Sequence, residues 1–148
     1  MAEDGSDYSA TATWVEGLQF VAQAQSSRVA VVLDGAPNVG GTGAGVQPME
    51  ALLISLATCT GMDVISILRK KRQHVTGFRV NVHGHRQDEH PRVYTDIELE
   101  FVVRGWGVSE QAVARSIELS HTKYCGVTNG LKSTVTYTYR VEAEESPA

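Results

Sequence analysis

The sequence predicts a mixed α+β domain of order βββ-α-ββ-α-β, in which a mostly antiparallel sheet packs on two helices. Three observations carry this. Short runs with apolar residues at alternate positions, bounded by turn residues, recur on both sides of one long apolar segment. That segment, from Pro48 to about Gln73, is far too long for a strand. A second stretch, from Ser109 to Cys125, sets Val113, Ile117, Ser120 and Tyr124 at spacings of three and four, as one helix face requires.

Each element has its own reason. "YSATATWVEG" reads as a strand entering a turn, "LQFVAQA" puts Leu18, Phe20, Ala22 and Ala24 on alternate positions, and "RVAVVLD" is β-branched enough to be the third strand of a meander. Residues 35–47, "GAPNVGGTGAGVQ", hold five of the chain's 14 glycines and read as a mobile loop placed to cover a pocket. Pro48 suits a first helical turn, Glu50 suits the positive end of the helix dipole, and "RKKRQ" suits the negative end. Between Ala51 and Leu68 the only charge is Asp63, and the aliphatic residues point in nearly every direction, so this helix is expected to be buried all round. "GFRVNVHGH" and "VYTDIELEFVVR" alternate core residues (Phe78, Val80, Val82; Thr95, Ile97, Leu99, Phe101) with polar ones. Ser109 is a natural N-cap for the second helix, Gly126 a natural stop, and "TVTYTYRVE" supplies the last strand.

A chain of 148 residues forms one domain, 1–148, with residues 1–7 expected to be a flexible N-terminus. It is 42% hydrophobic and 20% charged, with a formal net charge of -4, which argues against disorder and against nucleic acid as a partner. The opening "MAEDGSDYSA" has no basic and apolar signal-peptide pattern, and no segment is expected to span a bilayer, so the expected location is cytoplasmic with no membrane partner. So small a chain cannot wrap its own sheet around every side of the long helix. A homodimer that covers the helix is expected.

The two cysteines do not form a CxxC pair. In a reducing compartment they are buried, reactive or metal-bound in preference to a structural disulfide. Cys59 is flanked by Thr58, Thr60 and Gly61, small neighbours that leave room for a ligand, while Cys125 sits beside Gly126, where burial is usually incomplete. Asp63 lies one helical turn after Cys59, and a negative charge there raises a thiol pKa, so a cation is expected to compensate, with Arg28 and Arg86 as candidates.

"GVQPMEALLISLATCTGMDV" and "ELSHTKYCGV" together resemble the two cysteine motifs of the OsmC/Ohr family, and the order of strands and helices fits over nearly the whole chain. The resemblance implies an OsmC-like fold in an intertwined homodimer. It also implies a thiol-dependent peroxidase acting on organic or inorganic hydroperoxides, with no cofactor or metal and with a dithiol reductant as a further partner. By motif position Cys59 is then the peroxidatic cysteine, Cys125 the resolving cysteine and Glu50 the carboxylate of the site. Glu50 lies nine residues before Cys59, on the opposite side of the helix and about 13 Å along its axis, so the second protomer has to supply it. The family's well-studied members carry an arginine early in the chain. "ATATWVEGLQFVAQA" has none.

Other readings compete. Cys59, Cys125, His121 and Asp63 are all legitimate zinc ligand types, but they lack the paired local spacing of a metal motif. His83 and His85 share one strand face and fit an exposed polar face equally well. "RKKR" at 69–72 has no interleaved aromatics and reads as a solvated helix end, and Trp14 and Trp106 read as packing residues. A non-enzymatic binder of a small hydrophobic ligand, held between two long helices, is the alternative to an enzyme.

Overall fold

The computed structural model describes residues 7–147; all but the last of the residues expected to be a flexible N-terminus lie outside the described part. The strands are β1 (Ala10–Glu16), β2 (Gln19–Ala24), β3 (Ala30–Leu33), β4 (His74–Arg86), β5 (Tyr94–Trp106) and β6 (Thr134–Ala143). The helices are α1 (Pro48–Lys70), α2 (Glu110–Leu119) and α3 (Gly126–Gly130), with a short 3-10 turn at Pro37–Val39 and a π turn at Ser120–Tyr124. The predicted order is present, with α3 as an addition. The chain divides into two compact units, residues 1–52 and 53–148.

In the first unit β1, β2 and β3 form an antiparallel meander, with Trp14 opposite Phe20 and Val21 opposite Val32. The glycine-rich loop that follows is pinned. Buried Asp34 accepts hydrogen bonds from the backbone N–H groups of Gly35 (2.7 Å), Thr42 (3.2 Å) and Ala44 (3.2 Å) and from the Thr42 hydroxyl (2.5 Å). Two of the glycines are there because nothing larger fits: a Cβ on Gly41 would lie 1.9 Å from the Gly35 carbonyl oxygen, and one on Gly45 would lie 2.5 Å from that of Val32. The loop is therefore ordered by close backbone approach, where the sequence suggested mobility.

In the second unit β4 pairs antiparallel with β5, and β6 returns parallel to β5. α2, the π turn and α3 are the crossover that this parallel return requires. The core combines Ile97, Leu99, Phe101 and Val103 of β5 with Leu56, Val64 and Leu68 of α1 and Val113 and Ile117 of α2. Phe101 stacks on Phe78 and meets Tyr137 edge-on, which joins the three strands through one ring. The alternation predicted for β4 holds, and in β5 it holds from Asp96 to Phe101, while Val102 and Val103 are buried along with Phe101 and Tyr94 is buried more deeply than the predicted Thr95.

α1 ends at Lys70, before the predicted Gln73. Arg72 adopts a left-handed φ of 55°, its N–H donates to the Arg69 carbonyl, and Gln73 N–H donates to that of Leu68. That pattern is a Schellman C-cap. One stripe of α1 is buried, comprising Leu56, Ala57, Thr60, Gly61, Val64 and Leu68, while Ile54 and Met62 are 50% and 69% exposed. Complete burial, as the sequence suggested, does not occur within one chain. A second expectation is also corrected: by length and composition α1 is apolar enough to cross a membrane, with a mean hydropathy of 1.9, although a third of its most apolar 18-residue stretch is buried within the chain.

Candidate functional site

Cys59 sits at the middle of α1 and is half-buried; Cys125 follows the π turn and is fully buried. The predicted incomplete burial of Cys125 fails for a local reason. Ser109 caps α2 as expected, its Oγ accepting Ala112 N–H at 3.2 Å, but α2 stops at Leu119 and the chain then widens into the π turn. Cys125 N–H donates to the Ser120 carbonyl at 2.8 Å, and Cys125 becomes the N-cap of α3, its Sγ accepting Thr128 N–H at 3.3 Å. Gly126 opens that helix instead of stopping the previous one.

This turn brings the two thiols together. The Cys59 thiol lies close enough to Cys125 and to the backbone N–H of Val127, in the first turn of α3, for both to act on it. Burial pushes the Cys59 thiol above its ordinary value of 9.0; the contact with Cys125 adds to this, the Val127 N–H opposes it, and the charges of Cys125 and Asp63 add the rest. The predicted effect of Asp63 is present as the smallest of these influences.

Asp63 is answered by hydroxyls. Ser120 donates to Asp63 Oδ2 at 2.8 Å, which uses the only proton on Ser120 Oγ, so the 2.8 Å contact with Thr60 must have Thr60 as donor. Thr60 and Ser120 were not singled out as site residues in the sequence. The available signal was a serine at the helical spacing of the apolar face of α2.

Of the arginines named from the sequence, one ends a strand and the other lies in a turn. Arg86, the last residue of β4, donates from Nε to the Arg92 carbonyl at 2.6 Å and is exposed. Arg28 occupies the β2–β3 turn with a φ of 58°, its carbonyl accepting from the Gln23 side chain. Glu50 is exposed, and its carboxylate accepts the Gln47 N–H at 3.2 Å, closing the first turn of α1 as the glutamate of a capping box does. Among the described residues no group of three or more His, Cys, Asp and Glu side chains could hold a metal ion, so the zinc set is not assembled; His121 packs edge-on against Tyr137. His83 and His85 face Glu98 and Asp96 across the β4–β5 ladder. A cleft of about 400 Å³ on that polar face is lined by Asn81, His83, Glu98 and Thr136 among others, and neither cysteine lines it.

Fold and site together define a class: an α+β protein with two apposed thiols, one on a long helix and the other on the crossover between parallel strands. Residues 41–140 match the family described as OsmC-like protein. Over 129 residues, 87% of this chain and 92% of the relative, the sequence is 39% identical to Protein YhfA of Escherichia coli strain K12. The chain belongs to the OsmC-like family. A hypothetical protein from Aquifex aeolicus superposes with a TM-score of 0.83 at 28% identity, covering 95% of this chain and 99% of that one. An OsmC-like protein of unknown function from Vibrio cholerae gives 0.78 at 21% identity, covering 91% and 99%. More distant chains of the same fold include organic hydroperoxide resistance proteins, one of them from Legionella pneumophila at 12% identity.

Proposed function

We infer that the chain is a thiol-dependent peroxidase that reduces organic or inorganic hydroperoxides through a two-cysteine cycle, working as an intertwined homodimer in a reducing, cytoplasmic setting. The contact between Cys59 and Cys125 carries this reading. Cys59, the more exposed sulfur, is the one a peroxide can reach. Its thiolate attacks the O–O bond, takes one oxygen as a sulfenic acid and releases the alcohol, or water from hydrogen peroxide. The Cys125 thiol then displaces that hydroxyl as water and closes the disulfide. An external dithiol returns two electrons and two protons and resets both sulfurs. Glu50 enters from the second protomer, and Arg28 and Arg86 are the cations to test as supports for the thiolate.

The test is peptide mapping after one equivalent of an organic hydroperoxide. A Cys59–Cys125 disulfide within one chain is expected, and Cys59→Ser should abolish turnover. Cys125→Ser should consume one equivalent and stop, with Cys59 open to overoxidation. The raised Cys59 thiol favours one alternative, a binder of a small hydrophobic ligand in which the cysteines take no part. Survival of both thiols in folded protein under that treatment would remove the peroxidase reading and put the ligand-binding reading first.

A further inference from the structure

Ser120 is fully buried and bonded in three directions. Its hydroxyl donates to Asp63 and accepts from Thr60, both on α1 and lying four residues and one residue after Cys59. Its carbonyl accepts the N–H of Cys125. One residue therefore ties together the two segments that bear sulfur.

The third of these bonds also sets direction. It spans five residues and closes the π turn. Had α2 continued as an α-helix, Cys125 would lie about 500° round the axis from Ser120, and so about 140° away from the side that Ser120 presents to α1. An i→i+5 turn is wider and returns residues five apart to nearly the same side. Ser120 can then bond α1 while Cys125 meets Cys59. We propose that Ser120, held by Asp63 and Thr60, is the positioning residue that sets the Cys59–Cys125 separation for disulfide closure. The proposal rests on the two-cysteine cycle above for its use in turnover. It also gives Asp63 a purpose: the carboxylate anchors the clamp, at some cost in thiol acidity.

The experiment is thiol–disulfide equilibrium of the full chain in glutathione buffers, where the two thiols pass two electrons to oxidised glutathione and two reduced glutathione molecules leave. The quantity read is the effective concentration of one thiol at the other. Ser120→Ala should lower it roughly tenfold or more, since the buried hydroxyl network that fixes the turn against α1 is lost while only the backbone bond that closes the turn remains. Ser120→Thr should recover most of it. Asp63→Asn should stay within about twofold of the wild type, because the amide oxygen still accepts from Ser120. Ser116→Ala removes a buried hydroxyl of α2, bonded only to the Ala112 carbonyl of its own helix, and should leave the value unchanged. A wild-type value in Ser120→Ala, or an equal loss in Ser116→Ala, overturns the proposal. Should Ser120→Ala fail to fold, Asp63→Ala takes its place, with a loss of about fivefold expected from the unanchored hydroxyl and an unchanged value counting against the proposal. No hydroperoxide is present in any arm. A chain inert to hydroperoxide yet dependent on Ser120 in glutathione loses the peroxidase reading and keeps the clamp, and one oxidised by hydroperoxide but indifferent to Ser120 does the reverse.

Discussion

At Asp63 a carboxylate sits one turn from a thiol whose acidity it lowers, and Ser120 and Thr60 supply the hydrogen bonding that makes it tolerable there. Two consequences can be measured by alkylation of Cys59. Because the folded pKa lies above 9.0, the rate in the wild type should still be climbing at pH 9, where a thiol activated for catalysis would already have levelled off. Asp63→Asn removes the like charge and lowers the pKa, so the rate near neutral pH should rise roughly two- to fivefold. An unchanged rate would mean that hydrogen bonding already cancels the charge at the sulfur. Arg86→Ala and Arg28→Ala, read in the same assay, show whether either guanidinium supports the thiolate; a slower rate is the expected sign.

Among the elements, the glycine-rich loop offers the clearest pH test. The Thr42 hydroxyl holds the Asp34 carboxyl below its ordinary value of 3.8 against the opposing effect of burial, helped by the N–H groups of Ala44, Gly35 and Thr42. A carboxyl lowered on folding stabilises the fold above pH 3.8 and ceases to do so as the pH falls through the folded value. Asp34→Asn should therefore lower the thermal midpoint at neutral pH, and its deficit should shrink below pH 3.8. The same loop shows where sequence reading succeeds and where it stops. The β4 and β5 alternation, the α1 start at Pro48 and the Ser109 cap were legible because each depends on a local period or a neighbouring backbone group. Glycines that look loose in a string are in fact fixed by what approaches them, as Gly41 and Gly45 are. The π turn left no local mark, since its ends are set by bonds from Ser120 to α1 some sixty residues away. Gly126 misled for a related reason: glycine often follows a helix, but here Cys125 caps the next one. Both cysteines were legible through their motifs, whereas the clamp that aligns them depends on that distant pairing and was not.

For the whole molecule, the exposed side of α1 is the feature that asks for a partner. Ile54 and Met62 lie open on a helix that has only one stripe buried. In the proposed dimer these side chains are covered, so Met62→Glu should weaken self-association at least about tenfold by sedimentation, through the cost of burying an unpaired charge. If the variant remains as dimeric as the wild type, Met62 lies outside the interface. A longer-range consequence comes from the span-like composition of α1. During synthesis the ribosome delivers α1 before β4, β5 and α2, the elements that bury its inner stripe, so the newborn chain passes through an interval in which it presents something close to a stop-transfer sequence. If the proposed dimer covers that face, a lipid bilayer and a sister chain would compete for it. In the proposed dimer that face is covered, so the unassembled subunit should partition onto neutral vesicles while the dimer does not, and vesicle flotation checks this.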